Sequence, residues 1–400
     1  MLKKKFGFVF LVCFVIFHSC KSDDSSGGSS VLDTDGDGVF DDQENFDGTN
    51  KNDPCDPVQN EGYFGFDPKN AIWREADCDN DGFKNGDEAD NGTKPYLDDI
   101  VYSTPQFLPQ LSELNVFEGD LADLAFNNSS HEYILTTSRF KDYAYSVRSI
   151  SLPRESPMIY NGDELFIFPD KTVITITYYY LNDDRTPSLG RKIIETQVLI
   201  KTNGVWNLAN YIWNDEQSEA FLNEASSISI VTVEYIDPAG VQQNFDYEIN
   251  TSTSCIQCHN INGATRPLGT KPRNLNRVRN GRNQIDHFTN RELLQGAPGS
   301  DQIARLPPWL DGSFSLEDRA RAYIEMNCAH CHQPGGLYQG ALDLRFETPF
   351  ADTNIQGFKG DIVNRINKLP EDETSMPKAG IILIHPEGVA LIEEYIESLN

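Results

Sequence analysis

The chain has 400 residues, room for two to four domains, and 38% of them are hydrophobic, so a sizeable core can form. Its 33 basic and 61 acidic residues give a net charge of −28, which argues against a nucleic-acid partner. The acidity is concentrated, with 22 acids against 6 bases between Lys21 and Ile100.

Residues 1–19 come first in chain order. Lys3, Lys4 and Lys5 precede an apolar run from Phe6 to Phe17, which contains Cys13, and Cys20 closes it. The run is too short to span a bilayer comfortably and has the layout of an export signal. It resembles a bacterial lipoprotein signal, which implies that Cys20 carries the lipid anchor at the outer membrane or cell surface. Phe17, His18 and Ser19 match the small residues usual before such a cysteine poorly, and an ordinary signal peptide is the alternative. The Ser/Gly/Asp stretch 20–30 reads as a flexible linker.

Residues 31–94 form an acidic module with two loops of one pattern. In the first, Asp33, Asp35, Asp37, Asp41 and Glu44 take positions 1, 3, 5, 9 and 12, with Gly38 at 6 and Val39 at 7. In the second, Asp77, Asp79, Asp81, Asn85 and Glu88 take the same positions, with Gly82 and Phe83 between. A hard cation such as calcium collects oxygens in this way around a sharp glycine turn, and position 7 contributes its backbone carbonyl. Without cations so many carboxylates would repel one another. Cys55 and Cys78 stand within the module, and an exported pair suggests a disulfide. The module resembles thrombospondin type 3 repeats more than a paired-helix EF-hand. A stiff calcium-bound spacer is the expected role, and an acidic disordered linker is the alternative.

Residues 105–249 read as an antiparallel all-β domain. Thr172 to Tyr180, Arg191 to Lys201, Ile228 to Ile236 and Val241 to Ile249 alternate and are rich in β-branched and aromatic residues. Asn203-Gly204 before Val205-Trp206 signals a hairpin.

Beyond Thr251 the pattern turns helical, and an all-α region is expected in two parts, 250–311 and 312–400. Ser315 is a good N-cap for a helix over Leu316 to Asn327, with Glu317 and Asp318 in its first turn. Pro386 suits the first turn of a helix running to Leu399. Each part holds one Cys-x-x-Cys-His sequence: Cys255, Cys258 and His259, then Cys328, Cys331 and His332. Cysteines three apart on one helical turn point the same way, so both sulfurs can reach one porphyrin. The next residue brings an imidazole to the iron. A shared zinc site is disfavoured, because 69 residues separate the two pairs.

Methionine is the common sixth ligand of electron-transfer cytochromes, and the chain has only four methionines. Met376, in Ser375-Met376-Pro377, is the expected ligand for the second haem. For the first, Met326, His287, Met158, water or an open position remain as alternatives. His131 and His385 read as surface histidines, and His330 points away from its own motif's iron. Arg266, Lys271, Arg273, Arg277, Arg279 and Arg282 form a strip with no acid among them. It suits haem propionates or an acidic partner, and a solvated basic face is equally simple.

The stretch from Leu108 to Leu399 resembles a family of exported bacterial diheme c-type cytochromes, mostly uncharacterised. The matching residues are Leu111-Ser-Glu-Leu114, Tyr211-Ile-Trp213 through Ala220, and Cys255 to His259. Pro267 to Asn276, Arg319 to His332, Leu342-Asp-Leu-Arg345 and Met376-Pro377 complete the set. The entry into the strand at Phe168 to Thr172 departs from the family, which tends to use Gly-Thr there. The resemblance implies two haem c groups, class I cytochrome c-like packing near Met376, and electron transfer to an unnamed redox partner. A diheme peroxidase or oxidase with an open first iron is one alternative. A ligand-binding β-domain with accessory haems is another.

Overall fold

The computed structural model describes residues 32–59, 66–79, 83–92, 95–96, 105–338 and 340–399. The expected signal peptide, the linker, Cys13, Cys20 and Asp81 lie outside the described residues. Among the described residues no helix is long and apolar enough to cross a membrane.

The chain carries an antiparallel sheet domain and several helices. Six strands pair in the order Ser130–Glu132, Tyr145–Ser151, Val173–Leu181, Arg191–Thr202, Val205–Trp213 and Ala220–Leu222. Every neighbouring pair is antiparallel. Asn203 and Gly204 make the tight turn with φ of 52° and 78°, a conformation that Asn and Gly accept readily. A separate hairpin joins Ser229–Ile236 to Gln242–Ile249. It packs over Tyr180 and Ile194 of the main sheet.

Alternation along the strands sends neighbours to opposite faces. Val198 and Ile200 pack under the segment that contains Leu111, Val116 and Phe117. Leu199, Ile174 and Trp206 face the other way and meet Leu275, Phe288, Leu306 and Met326. One apolar core therefore runs from the sheet into the region that follows it. A second core lies among the last helices, where Ala320, Ile324 and Leu344 meet Leu391, Ile392 and Tyr395.

Helices span Ser252–Cys258, Gln284–Asn290, Leu316–Asn327, Ile355–Ile366 and Pro386–Ser398. The Ser315 hydroxyl accepts the Asp318 amide at 3.1 Å, which caps Leu316–Asn327. Pro386 occupies the first turn of the last helix.

The region expected to be all-α is not wholly helical. Asn260–Ile261 pairs with Ala264–Thr265, and Val278–Arg279 with Arg282–Asn283. The cause is local. Asn262-Gly263 and Asn280-Gly281 both hold positive φ at each residue, the backbone of a tight hairpin turn. Leu294–Gln295 pairs in parallel with Met158–Ile159, which ties this region to the sheet domain.

Candidate functional site

In the first acidic loop the carboxylates of Asp33, Asp35 and Asp37 converge, each offering an oxygen within 4.8 Å of the others. Loop amides hold them there. Gly36 N donates to Asp33 at 2.8 Å, Asp37 N to Asp35 at 3.2 Å and Val39 N to Asp37 at 2.7 Å. Glu44 is fully buried on the helix Asp41–Asp47, and neither of its carboxylate oxygens has a hydrogen-bond partner. Burial, with Asp35 and Asp37 nearby, pushes its pKa up to about 7. Burial and the neighbouring Asp35 and Asp33 likewise raise Asp37 to about 6, although the Val39 amide pulls the other way. A divalent cation would satisfy these oxygens, so the donor set fits one.

Asp41 is spent differently. It accepts the Thr34 amide and hydroxyl, both at 2.8 Å, and pairs with Lys51 at 3.1 Å. Burial works against its charge, but these partners outweigh burial and hold the carboxyl below its usual range. Gln59, far from the loop in sequence, donates its amide to the Asp37 carboxylate. Spacing gives no sign of it.

In the second loop Asp79 and Glu88 are buried, Asp77 is half-buried and Phe83 is exposed. The Asn85 side-chain amide is engaged by backbone groups. It accepts the Cys78 amide at 3.1 Å and donates to the Trp73 carbonyl at 2.9 Å. Cys55 and Cys78 are joined as a disulfide, with Cα atoms 5.3 Å apart. The bridge packs with Trp73 and Tyr96 into a small core of the module's own.

The two Cys-x-x-Cys-His sequences meet in space. Cys258, Cys331 and His330 each place a ligand atom within 4.8 Å of the other two. Loops beside the motifs also touch, with Asn262 N donating to Gly335 O at 2.8 Å. Sequence separation therefore does not exclude a shared site here, because the fold removes it. Cys255, Cys258, Cys328 and Cys331 are all free thiols.

The second motif opens on a large, mostly apolar cavity. Cys328, Cys331, His332 and Met376 all line it, with Ile366, Ile384 and Ile392 among the walls. His332 packs against Tyr338, ring centroids 4.5 Å apart. His385 is no surface residue. It lines the same cavity, stacks on Phe140 at 4.0 Å and shares a hydrogen bond with the Tyr323 hydroxyl at 2.8 Å. His131, in the edge strand, is half-buried rather than open. Arg139 and Phe140 reach the cavity from a loop of the sheet domain. Asp142 anchors that loop by accepting the Ile382 and Leu383 amides at 2.8 and 2.9 Å. These residues carry no motif.

The first motif is divided. Cys258 lines the large cavity, Cys255 turns to the Asn210 amide at 3.9 Å, and His259 lines a second, smaller cavity. His259 Nδ1 lies 2.8 Å from the Arg266 carbonyl oxygen. A carbonyl only accepts, so Nδ1 carries the proton and Nε2 is left for a metal. Together the free thiols, the apolar walls and this tautomer fit covalently held haem, more completely at the second motif than at the first.

The basic strip has partners within the chain. Lys271 pairs with Glu325 and Glu347, Arg273 with Asp163 and Glu347, and Arg279 with Glu132. Arg266, Lys271 and Arg273 also line the His259 cavity.

The bacterial TSP3 repeat family matches residues 33–54 and 77–95. The acidic module is thus similar to a calcium-type repeat of exported proteins, covering both loops. None of the curated proteins and none of the solved structures matches the chain.

Proposed function

We propose that the chain is an exported diheme c-type cytochrome, a lipoprotein held to the membrane through Cys20, whose work is electron transfer. Haem attached at the four cysteines supplies a one-electron iron couple. The observation that carries the reading is the common placement of Cys328, Cys331, His332 and Met376 on one apolar cavity. The two thiols would tether the group, His332 would give it a nitrogen ligand and Met376 a thioether, and the isoleucine walls exclude water. A thioether ligand favours the reduced iron and raises the potential. The closeness of Cys258 to Cys331 supports a short path between the two motifs. The region around Met376 would be the class I cytochrome c-like part, and the acidic module would hold calcium at Asp33, Asp35, Asp37 and Glu44.

Denatured protein in alkaline pyridine should show two c-type haems per chain. In the folded protein, Met376→Ala should remove the far-red absorption that its sulfur gives a ferric iron; an unchanged band would sink that assignment. A second reading rests on one observation. Cys258, Cys331 and His330 together make a soft donor set of the kind that zinc or copper favours. A chain free of haem, yielding one zinc or copper ion on acid release, would favour it.

A further inference from the structure

We infer that Arg139, carried into the large cavity by the sheet domain, sets the reduction potential of the iron that His332 and Met376 would hold; this rests on the haem reading proposed above. Its fixed positive charge favours the reduced iron. The sheet domain thereby takes part in the redox site.

The cavity is selective in its charges. Arg139, Lys368 and Lys378 line it, and among the described residues that line it there is no aspartate or glutamate, in a chain of net charge −28. The three cations are not equivalent. Lys378 is exposed, and water and salt screen it. Lys368 pairs with Asp372 at 3.7 Å. Arg139 is half-buried, and among the described residues no carboxylate forms a salt bridge with it. Arg365, whose charge reaches His332, does not line the cavity.

The Arg139 guanidinium is held in place. It donates to the Ala379 carbonyl at 3.0 Å, close in sequence to Met376. Gly380 holds φ at +84°, and a Cβ there would collide with the guanidinium. The next amide, of Phe140, donates to the Asn327 side chain at 2.8 Å, immediately before Cys328. Asp142 fixes the far end of the loop on the Ile382 and Leu383 amides. These anchors keep an unpaired charge on the wall of an apolar space, a placement that costs desolvation and returns no ion pair.

Its field falls on the site. Burial pushes the Cys328 thiol up to about 12, and the charge that pulls against burial is that of Arg139. Cys331 and Cys258 feel the same charge, beside the larger effect of the hydrogen bond their thiols share. The Cys328 and Cys331 sulfurs would tether the group, so the cation stands near its rim. Ferric iron carries one positive charge more than ferrous iron, and a neighbouring cation disfavours the extra charge. Apolar walls keep the dielectric low and strengthen the interaction.

Arg139→Gln tests this in the full chain with its haems, by potentiometric titration followed at the far-red band that Met376 gives. The midpoint should fall, so that the ratio of reduced to oxidised iron at a fixed potential drops roughly tenfold, which is about 59 mV for one electron. Arg139→Leu, which also lacks the charge, should fall as far. Arg139→Lys should keep most of the wild-type midpoint, which a packing role would not give. Lys378→Gln should leave it unchanged. All of these variants should keep two haems per chain by the alkaline pyridine assay and a full far-red band, since neither residue is a ligand. An unchanged midpoint in Arg139→Gln and Arg139→Leu would overturn the inference, as would an equal fall in Arg139→Lys or Lys378→Gln. A wild-type chain without haem, or with haem and no far-red band, would instead overturn the reading on which it rests.

Discussion

Glu44 is buried with both oxygens unpaired, beside three aspartates whose oxygens converge, and that combination costs stability unless a cation is present. Glu44→Gln should therefore weaken calcium binding by roughly tenfold or more, read by titration calorimetry, since affinity follows the charge count of the ligands. An unchanged affinity would place the cation elsewhere. The pH dependence follows from the same carboxylates. With folded values of about 7 and about 6, Glu44 and Asp37 are partly protonated in the metal-free chain near pH 6. Calcium needs them ionised, so binding releases protons and the affinity should climb from pH 6 to pH 8. The spacing of these acids was legible in the sequence because a metal loop is local. The turning of Asn85 toward Cys78 and Trp73 was not, because a side chain's direction depends on what packs beside it.

Elements announced themselves where a local rule decides them. The strands Val173–Leu181 and Arg191–Thr202 follow from β-branched alternation, and their limits lie close to those read from sequence. Ser315 and Pro386 start helices where capping chemistry places them. Asn262-Gly263 and Asn280-Gly281 carry the same turn signal as Asn203-Gly204. They join ladders only two residues long, too short to alternate, so they read as loop. A cap can be tested directly. Ser315→Ala removes the acceptor of the Asp318 amide and should cost about 1 kcal/mol, measured by urea denaturation. Ser315→Asp should recover most of that loss, and equal stability of the alanine and aspartate variants would show that the hydroxyl is not the cap that matters.

At the scale of the whole molecule, the acidic module is not a tether held apart from the rest. Arg282 and Arg291 face Asp56, and Arg291 also faces Asp53 and the ring of Tyr96, at 6.0 Å from its centroid. Asn128 donates to the Cys78 carbonyl at 3.1 Å, and Gly48 closes against Asn280 and Gly281. Part of the strip that lacked acids in sequence thus finds them in the chain's own module, a pairing no local pattern could show. Docking couples the module to the Val278–Asn283 hairpin and to Arg291. With calcium removed, the first loop regains its repulsion, and the segment from Asn50 to Asp56 that follows it should loosen. Chelation should then speed amide exchange in residues 33–56 and also in the Val278–Asn283 hairpin and the Gln284–Asn290 helix. Exchange in Leu316–Asn327, held by two apolar cores, should stay the same. An increase confined to residues 33–56 would show that the module binds calcium without passing the effect on. Arg282→Ala with Arg291→Ala separates the two steps: it should leave calcium affinity intact, because neither arginine touches the loop, and abolish the calcium dependence of exchange in the hairpin.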